Sequence, residues 1–140
     1  MRRSSVLFLS RAALLALALL GSACDNGDTP TIPTPVIVTE TFTGTVELNG
    51  AVSHGFNVST AGPTVAEITA LDPAGAFIGF ELGTWSGVVC TAVLSNDAGT
   101  LASVLSAKTQ SSASLCVRLH DPNGTLTANA VTYTVTVKHP

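Results

Sequence analysis

The amino-acid sequence predicts an all-β fold, an antiparallel β-sandwich of about eight short strands occupying residues 39–140. Three observations predict it. Apolar and polar residues alternate with period two, most clearly in "VTYTVTVKH" (131–139), where Val131, Tyr133, Val135 and Val137 share one face and Thr132, Thr134, Thr136 and Lys138 the other. A turn signature, Asp-Pro-x-Gly, occurs twice, at 72–75 and 121–124; Asp first, Pro second and Gly fourth suit a type I turn. Finally, no segment carries a convincing helical period; "AGTLASVLSAK" (98–108) is the one ambiguous stretch.

The elements follow in order. "TFTGTVEL" (41–48) places Phe42, Gly44, Val46 and Leu48 on one face and Thr and Glu on the other. "HGFNVS" (54–59) groups His54, Phe56 and Val58. "TVAEITAL" (64–71), "AFIGFEL" (76–82), "GVVCTAVL" (87–94), "TLASVLS" (100–106) and "ASLCVRLH" (113–120) precede the final strand. β-Branched and aromatic residues suit such half-buried strands. Charged residues are 11% of the chain, against about 25% in ordinary soluble domains. Ser, Thr, Asn and Gly must then supply much of the polar surface, a composition that suits an exported β-rich protein.

The amino-terminal segment predicts export. Arg2, Arg3 and Arg11 precede an unbroken apolar run, Ala12 to Leu20, and small residues follow it. Nine helical residues reach only ~14 Å, against a hydrocarbon core of ~30 Å. The run is too short to span, and its flanks are those of a signal peptide. Residues 25–38, "DNGDTPTIPTPVIV", read as a flexible Pro/Thr-rich linker in extended geometry.

"LLGSAC" (19–24) resembles the lipobox of bacterial lipoproteins, although Gly21 stands where an aliphatic residue is usual. The resemblance implies removal of residues 1–23, lipidation of Cys24 and a membrane anchor in the cell envelope, facing the periplasm or the exterior. The alternative is ordinary cleavage after Ala23 and secretion. With Cys24 lipidated, Cys90 and Cys116 remain as a pair, expected to form a disulfide in an oxidising compartment. Processing would remove three of the six basic residues and none of the nine acids, leaving a net charge of −6. Lys108, Arg118 and Lys138 make no basic stripe, so nucleic acid is not an expected partner.

The stretches "ETFTGTVELNGAVSHGFNVSTAG" (40–62) and "SLCVRLHDPNGTLTANAVTYTVTVKHP" (114–140) resemble the pre-peptidase C-terminal (PPC-like) domain family in the opening F-x-G-x-V strand, the C-V-R segment and the closing Y-T-V-x-V strand. The likeness covers about residues 40–139. It implies a jelly-roll-like or immunoglobulin-like sandwich and an accessory, non-catalytic role. Some relatives bind calcium, collagen or polysaccharide. Calcium would have to draw on Glu40, Asp97 and Asp121, which no single loop brings together. Turn capping accounts for such residues more simply, and no metal or other cofactor is expected.

Catalytic signatures are not evident. His54, His120 and His139 sit in no G-x-S-x-G or H-E-x-x-H context, so they read as structural or surface residues and the chain as a non-enzyme. A small hydrolase remains the alternative. Trp85, the one tryptophan, is a candidate ligand platform that could stack on a sugar face; the competing reading is a lid near Cys90. The expected function is a tethered binding or structural module whose ligand, protein or polysaccharide, the sequence does not name.

Overall fold

A computed structural model describes residues 33–126 and 128–140. The expected signal peptide, Cys24 and most of the linker lie outside the described residues. Residues 33–37 are exposed and belong to no strand.

Eight strands follow: β1 (Val38–Glu47), β2 (Ala51–Val58), β3 (Gly62–Asp72), β4 (Ile78–Trp85), β5 (Cys90–Gly99), β6 (Val104–Thr109), β7 (Ala113–His120) and β8 (Ala130–His139). They form two four-stranded sheets, β1-β8-β3-β6 (sheet A) and β2-β7-β4-β5 (sheet B), with every pairing antiparallel. β1 pairs with β8, β2 with β7, β3 with β6 and β4 with β5. That nesting is one long hairpin, with its tip between β4 and β5, rolled up until β8 meets β3 and β7 meets β4. It is jelly-roll order. In an immunoglobulin sandwich the first two strands share a sheet; here β1 and β2 lie in different sheets.

The core is where period-two alternation turns both sheets inward. Ile68, Ile78, Phe80, Val117, Leu119, Val131, Val135 and Val137 are fully buried, all from the four central strands. β5 and β6, at the sheet edges, add only partly buried Leu94, Leu105 and Ala107. β8 alternates as its sequence predicts.

Several local expectations are corrected. Leu48 is 45% exposed, because β1 ends at Glu47 and the chain turns there, with Gly50 N–H donating to the Glu47 carbonyl at 2.7 Å. Val88 and Val89 are not in a strand. They cap the β4–β5 tip, exposed by 83% and 58%, where Gly87 has φ 96° and Ser86 N–H donates to the Val89 carbonyl. The ambiguous stretch is a turn over 100–103 followed by β6, so that strand starts later than its apolar pattern suggests. The first Asp-Pro-x-Gly turn closes through Ala76 N–H to the Pro73 carbonyl, one residue further on than a type I turn begun at Asp72, and its Asp72–Pro73 peptide is cis.

Candidate functional site

The three histidines, the acids singled out in the sequence and Trp85 fall into three groups. The first lies inside the sandwich, between β1, β2 and β8. Tyr133 points inward and its hydroxyl meets His54 Nε2 at 2.8 Å, while Phe42 stacks on His54 with centroids 4.9 Å apart. His139, 2% exposed, stacks on Phe56 and meets Glu40 Oε1 through Nε2 at 2.9 Å. Burial lowers the His54 pKa below 6.5 and pushes the Tyr133 phenol up to about 12. A neutral imidazole paired with a protonated phenol is a packing contact, and Glu40 is engaged by His139.

The second group is the turn after β7. Asp121 is buried, and its carboxylate accepts three backbone N–H groups: Asn49 at 2.7 Å, Thr125 at 2.8 Å and Leu126 at 3.0 Å. Its own N–H donates to the Gly50 carbonyl. The side chain therefore fastens the β1–β2 connection to the β7–β8 connection. Asn123 and Gly124 take positive φ there, which an Asn-Gly pair tolerates.

The third group covers the outer face of sheet B. Three rows of outward residues run across β2, β7 and β4: Gly55, Cys116 and Gly83; Ser53, Arg118 and Glu81; Ala51, His120 and Gly79. Glycine inside a strand marks a close approach, and each of these three has a cause. A Cβ on Gly55 would lie 2.6–2.7 Å from Nε1, Cδ1 and Cε2 of Trp85. Three neighbouring ring atoms at nearly one distance place that point over the ring's face, so the indole lies flat on Gly55. A Cβ on Gly79 would likewise strike Cε1, Nε2 and Nδ1 of His120 together, so the imidazole lies flat on Gly79. A Cβ on Gly83 would strike the Thr91 backbone.

Gly83 also reveals the shape of the face. Cys90 and Cys116 form a disulfide with Cα atoms 5.7 Å apart, although β4 lies between their strands. Two strand spacings in a flat sheet would be about 9.6 Å. The start of β5 therefore curls over the outer side of β4, aided by the register shift between Leu82 and Gly83. The face is concave at this end, with Trp85 on its floor and the disulfide beside it.

Charge on the face is mostly internal. Arg118 donates to Glu81 Oε2 at 2.8 Å, with side chains 34% and 12% exposed. His120 lies between two acids, Nδ1 3.9 Å from Glu81 Oε1 and Nε2 3.7 Å from Asp97 Oδ1, both beyond hydrogen-bond length. Nδ1 is buried without a partner. Beyond Gly55 the exposed pair Ser114 and Asn57 share a hydrogen bond of 2.8 Å.

Glu40, Asp97 and Asp121, the possible calcium ligands, thus have three different sets of neighbours. Among the described residues no three His, Cys, Asp or Glu side chains are grouped to hold a metal ion. Sheet A's outer face holds a shallow, open depression of about 430 Å3 whose lining includes Thr43, Thr45, Thr132 and Thr134.

Trp85 and the two cysteines are legible as candidates in the sequence; Glu81, Arg118 and the three glycines are not. The available signal was glycine at 79 and 83, alternating with buried Ile78, Phe80 and Leu82 in "IGFELG". No family model and no curated protein matches the chain.

Proposed function

We propose that this chain is an exported cell-envelope lipoprotein carrying a non-catalytic, PPC-like binding module. Residues 1–23 act as the signal peptide, Cys24 carries the lipid, and the linker holds the sandwich away from the membrane. The sequence supports the anchor through its basic start, short apolar run and lipobox-like "LLGSAC". A single acyl chain anchors only marginally, and stable anchoring takes more than one signal; the lipoprotein resemblance implies several chains on the modified cysteine.

The observation that carries the binding role is the outer face of sheet B. It gathers a flat indole, a curled wall and a set of paired polar groups on a glycine floor. The histidines support a non-catalytic reading by what they do: His54 and His139 pack against Phe42 and Phe56, and His120 lies on Gly79. Fractionation of the natural host tests the anchor. The wild-type chain should sediment with membranes and Cys24→Ser should not; a soluble wild-type chain would favour the secreted module cut after Ala23. A screen with ester, glycoside and peptide substrates tests the hydrolase reading, and turnover abolished by His54→Ala or His120→Ala would displace the proposal.

A further inference from the structure

We infer, resting on the anchor proposed above, that the end of the sandwich where the chain enters docks on the anchoring membrane through the valines of the β4–β5 tip. Register brings the relevant pieces to one end. Val38 opens β1 opposite His139, Gly62 opens β3 opposite Thr109, and Ser59 N–H donates to the Pro140 carbonyl. In sheet B, Val58 pairs with Ala113, Leu115 with Thr84, and Trp85 with Cys90. The tip, residues 86–89, therefore projects from the same end as the entering segment, residues 36–38. These two pieces hold the most exposed large apolar side chains among the described residues, Val88 at 83% and Val36 at 82%, with Ile37 and Val89 more than half exposed.

The tip is built to present its valines. Val89 N–H donates to Ser86 Oγ at 3.0 Å, Ser86 N–H donates to the Val89 carbonyl at 3.1 Å, and the disulfide holds Cys90 behind them. A Cβ on Gly87 would meet nothing within 4 Å, so the turn stands in open space. Charge follows the same axis. Lys108 and Lys138 are exposed near this end, opposite Pro63 and Thr39, and make no ion pair among the described residues. Glu40, the acid at this end of β1, is engaged by His139. Glu67 and Glu81 lie midway along their strands, and Glu47, Asp72, Asp97 and Asp121 lie towards the other end. An anionic lipid surface attracts the first end and repels the second. Asp25 and Asp28, next to Cys24 in the chain, do not choose between the two. A second copy of the chain fits less well. A stable interface buries about 800 Å2 per partner from roughly 20–30 residues, far more than these few side chains supply. A bilayer takes up separate apolar side chains without a complementary shape. The linker reaches about 40 Å at full extension and can equally lie along the surface. Short linkers give effective concentrations in the millimolar range. A contact too weak to keep a Cys24→Ser chain on washed membranes therefore suffices for the anchored chain.

The test uses the processed chain in two forms, acylated as purified from the natural host, and lipid-free from residue 24 onward with Cys24→Ser. The lipid-free form should co-sediment saturably with concentrated vesicles of equal parts phosphatidylcholine and phosphatidylglycerol, and less with phosphatidylcholine alone. Val88→Ser with Val89→Ser should weaken that binding at least fivefold, because two apolar side chains leave the contact. Lys108→Gln with Lys138→Gln should weaken it about threefold. Leu101→Ser with Val104→Ser, at the opposite end, should leave it within twofold of wild type. In the acylated form, energy transfer to a dansyl-headgroup lipid from Trp85, the single tryptophan and next to the tip, should fall in the valine double variant. That variant should keep the wild-type urea midpoint, since both side chains are exposed. Vesicles that retain none of the lipid-free chain, a Val88 and Val89 variant that binds within twofold of wild type, or an equal loss with the Leu101 and Val104 variant overturns the inference. So does unchanged energy transfer in the acylated form, or a dimer in sedimentation equilibrium that the valine variant dissociates, which gives the tip to a second copy. Vesicle binding by the lipid-free form of a chain found unlipidated in its host would remove the anchor and leave the tip standing. An acylated chain whose lipid-free form ignores vesicles would do the reverse.

Discussion

Asp121→Ala should be among the most damaging single substitutions at a polar position of this domain. The carboxylate holds three backbone N–H groups, and a hydrogen bond to a charged group contributes about 1.5–3 kcal/mol. These do not add in full. Asn49 and Thr125 are exposed, so water can replace the lost oxygen for them. Leu126 is 8% exposed, and its N–H would be left largely without a partner. One orphaned donor and two weakened ones give a loss of about 2–4 kcal/mol. For a domain near 100 residues each kcal/mol lowers Tm by about 4–8 °C, so a fall of at least 8 °C is expected. Asp121→Asn keeps one acceptor oxygen but opposes its amide to one of the N–H groups, and should lose about half as much. Urea unfolding followed by Trp85 emission measures both variants with the disulfide intact. An alanine variant within 0.5 kcal/mol of wild type, about the scatter of a neutral surface change, would refute the clamp.

Other perturbations have equally definite outcomes. Reducing the Cys90–Cys116 bridge, which closes a sequence separation of 26, should cost about 3–4 kcal/mol; an unchanged urea midpoint under reductant would remove that estimate. His54 has a folded pKa below its ordinary 6.5, so the unfolded chain takes up the proton first, and stability should fall as pH drops from 6.5 through the folded value. The Tyr133 phenol is raised, so its contribution is full below pH 10.0 and lost as pH rises towards about 12. Because Tyr133 is the one tyrosine, phenolate absorbance reads this directly, and a midpoint near 10 in the folded protein would contradict it. Gly83→Ala should lower stability by about 1–3 kcal/mol, since its Cβ meets the Thr91 carbonyl carbon at 2.7 Å and backbone must move; a variant as stable as wild type would mean that β5 does not curl over this position.

Much of the architecture was written in alternation, and little of the site. Between Val131 and Lys138 of β8 the inward residues are aliphatic or aromatic and the outward ones polar, so faces are assigned there from residue types alone; His139, inward at the end of the strand, is the exception. Period two fixes which way a side chain points but not which strand lies beside it. Glu81 meets Arg118 across 37 positions, and His139 meets Glu40 across 99, only because the hairpin rolls up. The apolar run Val88-Val89 was misleading for a related reason: hydrophobicity says a residue can pack, while Gly87 and the chain reversal decide that these two do not. The disulfide could be expected from cysteine count and compartment. The curl that brings its Cα atoms together depends on Gly83, whose role shows only once Thr91 lies against it.

The anchored, single-bridge arrangement meets its most direct test in non-reducing peptide mapping by mass spectrometry of the chain purified from its natural host. The account predicts an amino-terminal peptide beginning at Cys24 and carrying acyl chains, together with one cross-linked peptide joining Cys90 to Cys116. An unmodified Cys24, or Cys24 bridged to either of the other two, would contradict it.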